Sequence, residues 1–212
     1  HRLNHLVGIV APCTTTMNLV DSSWEVKETD IKKSSKILGV GSFGIVYKAT
    51  LFGQDVAIKQ IAASASKSEQ IMAANMLNRE VKALSRCRHK NIVQLIGACS
   101  NPPMLVLAYA SQGTLRDLLR NDNTNLPPSR KMELIHGIIN GMVKLHTQNI
   151  LHLDLKPENV LISADGTPWI TDFGLAIAIS STLTGGASST SGGRGTMQYK
   201  APEHFAAEND SE

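Results

Sequence analysis

The chain has 212 residues and a formal net charge of +3, from 21 Lys and Arg against 18 Asp and Glu. With 42% hydrophobic and 18% charged residues, its composition is that of a globular protein, which excludes disorder over the whole length. The charge is too small to indicate nucleic-acid binding, and no apolar run approaches the roughly 18 residues that span a membrane. Three cysteines without Cys-x-x-Cys spacing argue against a disulfide or zinc scaffold and favour a reducing, cytoplasmic location.

Hydrophobic periodicity predicts strands first and helices later. Residues 1–23 show no clean pattern and are predicted to be an extension, with one domain over 24–212. Residues 37–61 are β-rich, with a hairpin turn at 52–55. From 68 to 87 apolar residues recur every three or four positions, which predicts an amphipathic helix. Its predicted buried face consists of Ile71, Ala74, Leu77, Val81 and Leu84.

The second half of the sequence is mainly helical. Short apolar runs at 92–97 and 104–109 predict two strands around a Pro-Pro turn. A capping box at Thr114 predicts a helix start, and a longer helix should begin near Pro127. The sequence therefore predicts an α+β fold in two lobes. The longer helix carries the apolar residues Ile135, Ile138, Ile139, Met142 and Leu145.

A glycine pattern follows the first predicted strand. Gly39, Gly41 and Gly44 form a Gly-x-Gly-x-x-Gly motif, but a strand follows instead of the helix of a dinucleotide fold. No Gly-Lys-Ser/Thr closes the motif, so it is not a phosphate-binding loop of the NTPase type. What remains is a glycine-rich turn between two strands, where backbone N–H groups can approach a phosphate closely.

A lysine lies on the strand after this turn. In Val-Ala-Ile-Lys, Ala57 and Lys59 share one strand face, which suits a flat ring beside a phosphate-binding cation. Because Lys59 lies among apolar residues, its charge needs a partner of opposite sign, and Glu80 on the predicted helix is the candidate. The alternative is an ordinary surface lysine at a strand end.

The densest polar cluster lies between residues 152 and 174. Asp154, Lys156 and Asn159 come close together, and Asp172 follows in Asp-Phe-Gly. Hard oxygen ligands bind Mg²⁺, a free carboxylate can orient a hydroxyl, and an ammonium can neutralise a phosphoryl group. These residue types indicate magnesium-assisted phosphoryl transfer.

Together these motifs resemble the eukaryotic protein kinases, from about Trp24 to Glu203. The glycine-rich loop, Val-Ala-Ile-Lys, a helix Glu, His-x-Asp-Leu-Lys-Pro-Glu-Asn, Asp-Phe-Gly and Ala-Pro-Glu occur in the family's order. The resemblance implies a bilobal fold. Its N-lobe, about 24–107, would be an antiparallel sheet with one helix, and its C-lobe, about 111–212, would be helical and lack its C-terminal helices.

The resemblance also implies roles for individual residues. Lys59 would hold the α- and β-phosphates of ATP and pair with Glu80. Asp154 would accept the proton of the substrate hydroxyl or orient that hydroxyl, and Lys156 would contact the γ-phosphate. The metal ligands would be Asn159 and Asp172, for Mg²⁺ or alternatively Mn²⁺. The implied nucleotide-binding residues are Leu38, Gly39, Gly41, Gly44, Val46, Ala57, Lys59, Leu107, Ala108, Ala110 and Leu161, and the implied internal spine is Leu84, Leu95, His152 and Phe173.

The local motifs most resemble serine/threonine kinases of the tyrosine-kinase-like branch, including Raf-like and mixed-lineage enzymes. Lys156-Pro157-Glu158 and the Thr at 196 carry the resemblance to serine/threonine kinases, and residues 24–31 and 88–97 carry the resemblance to the tyrosine-kinase-like branch. It implies transfer of the γ-phosphoryl group of Mg·ATP to Ser or Thr of protein substrates. The alternatives are a non-catalytic pseudokinase or nucleotide-binding signalling module, and a small-molecule phosphotransferase.

Some features depart from the family pattern. Leu153 stands where most kinases have an Arg that meets an activation-loop phosphate. Either the enzyme switches without that phosphate, which we favour, or the Ser/Thr/Gly-rich stretch 180–196, predicted to be mobile, works through another cation such as Arg194. Glu203 would lack the later Arg with which it usually pairs. A basic cluster around Arg79–Lys90 is interpreted as a solvated helix face, with a docking patch as the alternative.

Overall fold

The computed structural model describes residue 17 and residues 22–41, 44–61, 66–121, 125–178 and 195–202. The described residues form two compact units. The first comprises those of His1–Asn78 and Ile96–Leu107, and the second those of Arg79–Leu95 and Ala108–Glu212. Residues 180–194 of the predicted loop at 180–196, and Glu203, lie outside the described residues.

The first unit is built on an antiparallel sheet of five strands in the order β1-β2-β3-β5-β4. The first two strands are joined where Gly41 pairs with Gly44, and the second and third by a tight turn at Phe52 and Gly53. Apolar side chains of all five strands form the core beneath the sheet, so the predicted β-rich half is confirmed. The strands are β1 (Ile31–Gly41), β2 (Gly44–Leu51), β3 (Gln54–Gln60), β4 (Leu95–Cys99) and β5 (Met104–Ala108).

The sheet begins earlier than the sequence pattern indicated. Strand β1 starts at Ile31 rather than near Ile37, because its outer residues are polar and paired only on one side. Part of the predicted extension also packs on this unit. Met17 is 1% exposed and its N–H donates to the Ser100 carbonyl at 2.9 Å. The carboxylate of Glu25 accepts hydrogen bonds from the Ser100 N–H and hydroxyl.

Helix α1 (Lys67–Arg86) agrees closely with its predicted range. Ala74, Leu77, Val81 and Leu84 are buried as predicted, whereas Ile71 is 48% exposed, so its assignment to the buried face was wrong. Ile71 lies one turn from the start of the helix, where fewer neighbours cover the side chain. Neither 20-residue helix among the described residues is apolar enough to cross a membrane.

Among the described residues, the second unit contains the end of α1, one short and one long helix, and two pairs of short strands. Thr114 forms the predicted capping box: its hydroxyl accepts from the Asp117 N–H, and the Asp117 carboxylate accepts from the Thr114 N–H. The bonds from Thr114 lower the pKa of Asp117. The elements are α2 (Leu115–Arg120), α3 (Pro128–Thr147), β6 (Ile150–Leu151), β7 (Val160–Ile162), β8 (Pro168–Ile170) and β9 (Ile177–Ala178).

Helix α3 buries two glycines as well as apolar side chains. Of the apolar residues that the sequence places on this helix, Leu145 is buried, whereas Ile135 and Ile139 are 47% and 50% exposed. The buried positions are Leu134, Gly137, Gly141 and Leu145. A methyl group on Gly137 would lie 2.4 Å from a Pro168 side-chain atom, and one on Gly141 would lie 2.7 Å from an Ile170 side-chain atom. The two glycines therefore allow α3 to pack closely against β8.

Candidate active site

The predicted site residues divide between the two units, and each group is described within its own unit. The first unit carries the glycines, Val46, Ala57, Lys59 and Leu107. The second carries Glu80 and the residues from Ala108 onward, including the polar cluster around Asp154.

The segment between β6 and β7, residues 152–159, is here called the catalytic loop. It ends in a single 3₁₀ turn, Pro157–Asn159, started by proline, which has no N–H to leave unpaired. The Asn159 side-chain amide donates to the Asp154 carbonyl at 2.8 Å and to Asp154 Oδ2 at 3.0 Å. Asp154 and Asn159 are five residues apart in the sequence, and these hydrogen bonds close the loop between them.

Thr196 completes the polar environment of Asp154. Its backbone N–H and its hydroxyl both donate to Asp154 Oδ1, at 2.8 and 2.7 Å. Lys156 Nζ lies 2.9 Å from Asp154 Oδ2 and donates to the Thr196 hydroxyl at 2.6 Å. Three groups separated by up to 42 residues in the chain thus share one hydrogen-bonded cluster.

These contacts control the ionisation of Asp154, whose side chain is only 9% exposed. Burial acts to raise the pKa of this carboxyl. The hydrogen bonds from Lys156 and Thr196, together with the positive charge of Lys156, outweigh that effect and hold the pKa below the ordinary value of 3.8. Asp154 is therefore a carboxylate at neutral pH, able to accept a hydrogen bond from a hydroxyl.

Thr196 reaches Asp154 because Gly195 passes very close to Leu153. Gly195 has φ +85°, and a Cβ on it would lie 2.6 Å from the Leu153 carbonyl oxygen. Leu153 itself has φ +64°, which costs of order 1–2 kcal/mol for a residue with a side chain. The role of Gly195 as a spacer was not identified from the sequence, since only the folded chain brings it to the catalytic loop.

His152 supports the catalytic loop from inside and has no access to solvent for proton transfer. Its Nδ1 accepts from the Asp154 N–H at 3.2 Å, so its Nε2 carries the proton and donates to the Thr171 carbonyl at 2.8 Å. The ring meets that of Phe173 edge-on, with centroids 5.1 Å apart. Burial lowers the pKa of His152. These contacts agree with its predicted packing role.

Glu80 occupies a buried position in the second unit. It is 1% exposed, and its Oε1 accepts from the backbone N–H of Phe173 at 3.4 Å. An ionised group buried to this extent needs partners, and an N–H is one of them. The predicted pairing of Glu80 with Lys59 joins residues of different units and stays a prediction.

Asn159 and Asp172 have the chemistry that a magnesium ion requires. Both hydrogen bonds of the Asn159 amide use Nδ2, which leaves Oδ1 for a metal. Asp172 supplies a carboxylate and has φ +65°, an unusual backbone conformation for an aspartate. Carboxylate and amide oxygens are the ligands that Mg²⁺ prefers, so the two residues fit the predicted metal.

The strand register brings several predicted nucleotide-binding residues of the first unit to one face. Val46 is opposite Lys59, and Lys48 is opposite Ala57. Because opposite residues of an antiparallel pair share a face, Val46, Ala57 and Lys59 lie on the same side of the sheet. Lys48 Nζ pairs with Asp55 at 2.7 Å.

The glycines of the β1–β2 pair, called here the glycine hairpin, differ in their surroundings. A Cβ on Gly39 would meet nothing within 4 Å. A Cβ on Gly44 would lie 2.3 Å from the Gln60 carbonyl oxygen of β3. Gly44 therefore has a packing reason to be glycine, in addition to the phosphate approach expected from the sequence.

One of the backbone groups predicted to bind adenine already takes part in a hydrogen bond within the protein. Leu107, 6% exposed, is the last but one residue of β5, and Ala108, which ends the strand, donates its N–H to the Gln94 carbonyl at 3.0 Å. The Ala108 N–H is therefore already bonded within the protein, and only the Ala108 carbonyl is left to contact adenine. The family resemblance assigns the backbone groups of Ala108 to adenine without this distinction. In the second unit, Leu161 pairs with Trp169 and is half-buried.

An antiparallel five-stranded unit, a helix carrying a buried Glu, and a loop that presents an ionised Asp beside Lys and Asn define the protein kinase class. The family model of the protein kinase domain matches residues 32–212. The chain belongs to the protein kinase family.

Its curated relatives are serine/threonine kinases and receptor kinases. The chain is 35% identical over 195 residues to human mitogen-activated protein kinase kinase kinase 7, covering 89% of this chain and 29% of that protein. It is 34% identical over 202 residues to the serine/threonine-protein kinase CTR1 of Arabidopsis thaliana, covering 92% and 24%. A lectin-domain containing receptor kinase, VI.4, of the same plant is 34% identical over 188 residues, covering 84% and 26%. The chain thus spans less than a third of these relatives' lengths. Their names agree with the predicted Ser/Thr, tyrosine-kinase-like assignment.

Proposed function

We propose that this protein kinase domain transfers the γ-phosphoryl group of ATP to serine or threonine hydroxyls of protein substrates. The observation that carries the proposal is the cluster of Asp154, Lys156 and Thr196. It holds one ionised carboxylate between an ammonium and a hydroxyl, with every contact between 2.6 and 2.9 Å.

In the proposed reaction, Asp154 accepts the hydrogen bond of the substrate hydroxyl and takes its proton as the oxygen attacks phosphorus. Its low pKa favours orientation of the hydroxyl more than early proton removal, which suits a phosphoryl transfer with a loose transition state. Lys156 lies beside this carboxylate and is assigned to the γ-phosphate, whose developing charge its ammonium would offset. Thr196 keeps both groups in place.

Nucleotide and metal binding are assigned to the residues named from the sequence. In the first unit these are Leu38, Gly39, Gly41, Gly44, Val46, Ala57, Lys59 and Leu107; in the second they are the Ala108 carbonyl, Ala110 and Leu161. Asn159 and Asp172 would hold Mg²⁺, which neutralises phosphate charge when bound. Use of ATP supports an intracellular location, as do Cys87 and Cys99, which within the described part of the chain are free thiols.

The test is transfer of labelled phosphate from ATP to a generic protein substrate by the 212-residue chain and by Asp154→Asn. We expect the variant to lose about 10²–10⁴-fold in kcat while its affinity for ATP stays unchanged, because Asp154 is assigned to the hydroxyl and not to the nucleotide. Asp165→Asn is the matched control, since it removes an exposed carboxylate from the same unit.

Three outcomes separate the alternatives. Transfer that disappears only in Asp154→Asn supports the proposed reaction. Nucleotide binding without transfer in the unaltered chain would indicate a nucleotide-binding module and contradict it. Equal transfer by Asp154→Asn and the unaltered chain would show that another group has the assigned role.

A further inference from the structure

The start of helix α2 contacts the catalytic loop through an ion pair. Arg116, the second residue of α2, bonds through Nη1 to Oε1 of Glu158. Glu158 is the middle residue of the 3₁₀ turn Pro157–Asn159, with which the catalytic loop ends. Both residues belong to the second unit, and 42 positions separate them in the chain. The sequence motifs assign no role to Arg116.

Both partners of this ion pair are partly withdrawn from solvent. The Arg116 side chain is 32% exposed and the Glu158 side chain 36%. The second carboxylate oxygen of Glu158, Oε2, is buried and has no hydrogen-bond partner among the described residues. A fully exposed ion pair contributes little to stability, but removing one partner of a pair that has lost part of its hydration leaves a charge uncompensated. Glu158 therefore depends on the cation of Arg116.

The turn that carries Glu158 also holds Asp154 in place. The next residue, Asn159, is buried, and its side-chain amide donates to the carbonyl and to Oδ2 of Asp154. The Asn159 backbone N–H donates to the Lys156 carbonyl at 2.9 Å, which closes the turn. Because Glu158 and Asn159 are adjacent in a turn of three residues, a shift of one moves the other. The ion pair therefore acts on the amide that meets the Asp154 carboxylate.

The residues before α2 are bonded to strand β7, which follows the turn in the chain. The Ile162 N–H donates to the Gly113 carbonyl at 2.8 Å, and the Gln112 N–H donates to the Ile162 carbonyl at 3.2 Å. The capping box then fixes the first turn of the helix. Arg116 therefore projects from a helix start whose backbone is anchored beside the catalytic loop.

The turn, β7 and the start of α2 thus form a closed set of contacts, and the pair of Arg116 with Glu158 completes it. Groups that react must be held within about 0.5 Å of their productive position, which requires supporting contacts of this kind. Without Arg116 the turn would keep its backbone hydrogen bonds and lose this side-chain connection to α2.

We propose that Arg116 is a positioning residue for phosphoryl transfer: by pairing with Glu158, it fixes the turn that holds the Asn159 amide on Asp154. The proposal rests on the proposed function for the reaction that it supports. The contact between the turn and Asp154 can nevertheless be measured without any transfer. Arg116 is assigned no contact with substrate or nucleotide, so its loss should lower kcat and leave both KM values unchanged.

The first measurement is steady-state transfer from ATP to a generic protein substrate by the 212-residue chain and by Arg116→Gln. A displacement of about 1 Å can cost about 10²-fold in rate. Since Lys156 and Thr196 still contact Asp154, we expect a smaller loss of kcat, roughly tenfold. Arg116→Lys keeps a positive charge that can reach Glu158 and should restore most of the rate.

A double-mutant cycle tests whether the two residues act through each other. Glu158→Gln should lose about as much kcat as Arg116→Gln, and the double variant should lose no more than either, because each single change already breaks the pair. Arg130→Gln is the matched control. Arg130 is 29% exposed and pairs with Glu133 at 2.8 Å, but both residues lie on α3, outside the catalytic loop. This control should keep the kcat of the unaltered chain.

The second measurement does not depend on activity. The NMR signals of the Asn159 side-chain amide, identified by their absence in Asn159→Asp, report how fast its protons exchange with water. Hydrogen-bonded protons exchange when their bonds open, so we expect exchange at least about tenfold faster in Arg116→Gln. Thermal melting of each variant checks the fold. Glu158→Gln, which keeps the shape of its side chain, takes the place of Arg116→Gln if that variant does not fold.

A loss of kcat together with faster amide exchange, both absent in Arg130→Gln, supports the proposal. In an active chain, a change in only one of the two measurements, or in neither, would overturn it, and so would an equal loss in Arg130→Gln. A higher KM for the protein substrate with kcat retained would assign the ion pair to substrate binding and overturn the positioning role.

A chain that transfers no phosphate would contradict the proposed function. Faster amide exchange in Arg116→Gln would then still show that Arg116 holds the Asn159 amide on Asp154, and unchanged exchange would overturn that connection.

Discussion

The catalytic loop and the glycine hairpin carry equally clear sequence motifs, but the structure holds them in different ways. In the catalytic loop, Asp154 accepts bonds from Asn159, Lys156 and Thr196 within 3.0 Å. In the glycine hairpin, Val40 is 75% exposed, and Gly39 has no heavy atom near the position of a Cβ. The contrast indicates that the position of the Asp154 carboxylate depends on side-chain contacts, whereas the hairpin mainly offers exposed backbone. Substitutions should therefore affect catalysis in the first region and stability or nucleotide affinity in the second.

The largest effect that tests this contrast is expected for Gly195→Ala. The new methyl group would overlap the Leu153 carbonyl and move Thr196 away from Asp154. Because a displacement of about 1 Å can cost about 10²-fold, we expect kcat to fall by roughly that factor. Steady-state kinetics at saturating ATP provides the measurement.

Gly53→Ala is the control for backbone strain alone. Gly53 has φ +82°, close to the +85° of Gly195, but open space around its Cβ position. It should lose about 1 kcal/mol of stability with little change in kcat. Similar losses of kcat in Gly195→Ala and Gly53→Ala would show that the close contact between Gly195 and Leu153 is not the cause of the loss.

A smaller effect is expected from two glycines of the hairpin. In Gly44→Ala, the methyl group would lie 2.3 Å from a backbone carbonyl that cannot easily shift, so the free energy of unfolding should fall by about 1–3 kcal/mol. In Gly39→Ala the fold should be unchanged, and only ATP affinity should decrease. Denaturant unfolding and nucleotide titration of both variants test this difference. A Gly39→Ala chain as destabilised as Gly44→Ala would disprove the distinction between the two positions.

The smallest effect concerns pH and the buried His152. Its pKa lies below 6.5 in the folded chain, so the unfolded chain binds more protons below about pH 6.5. This contribution to stability is present above pH 6.5 and is lost as the pH falls towards the lower, folded pKa. The slope from this one group is at most about 1.4 kcal/mol per pH unit.

His152→Gln should reduce the dependence of unfolding free energy on pH below about pH 6.5. His146→Gln, which changes an exposed histidine, should retain it. His89, whose pKa burial also lowers, contributes to the slope in both variants. A slope unaffected by His152→Gln would show that His152 is not the buried titrating group.

Local patterns predicted the elements whose signals lie within a few residues. The capping box at Thr114 needs only Asp117, and α1 needs only its own periodicity, so both were predicted nearly to the residue. The buried face of α3 was not predicted, because two of its residues are glycines and have no apolar side chain to mark them as core positions. Close packing against Pro168 and Ile170 made Gly137 and Gly141 the core positions.

The sequence by itself determined the family, the order of the motifs and the chemical types of the candidate site residues, because each motif combines residue types that one reaction needs. Only the tertiary structure decided that Thr196 meets Asp154, that Gly195 makes that meeting sterically possible, and that Arg116 of α2 pairs with Glu158 of the catalytic loop. Those contacts join residues far apart in the chain. Their geometry depends on how whole elements pack, which no local spacing records.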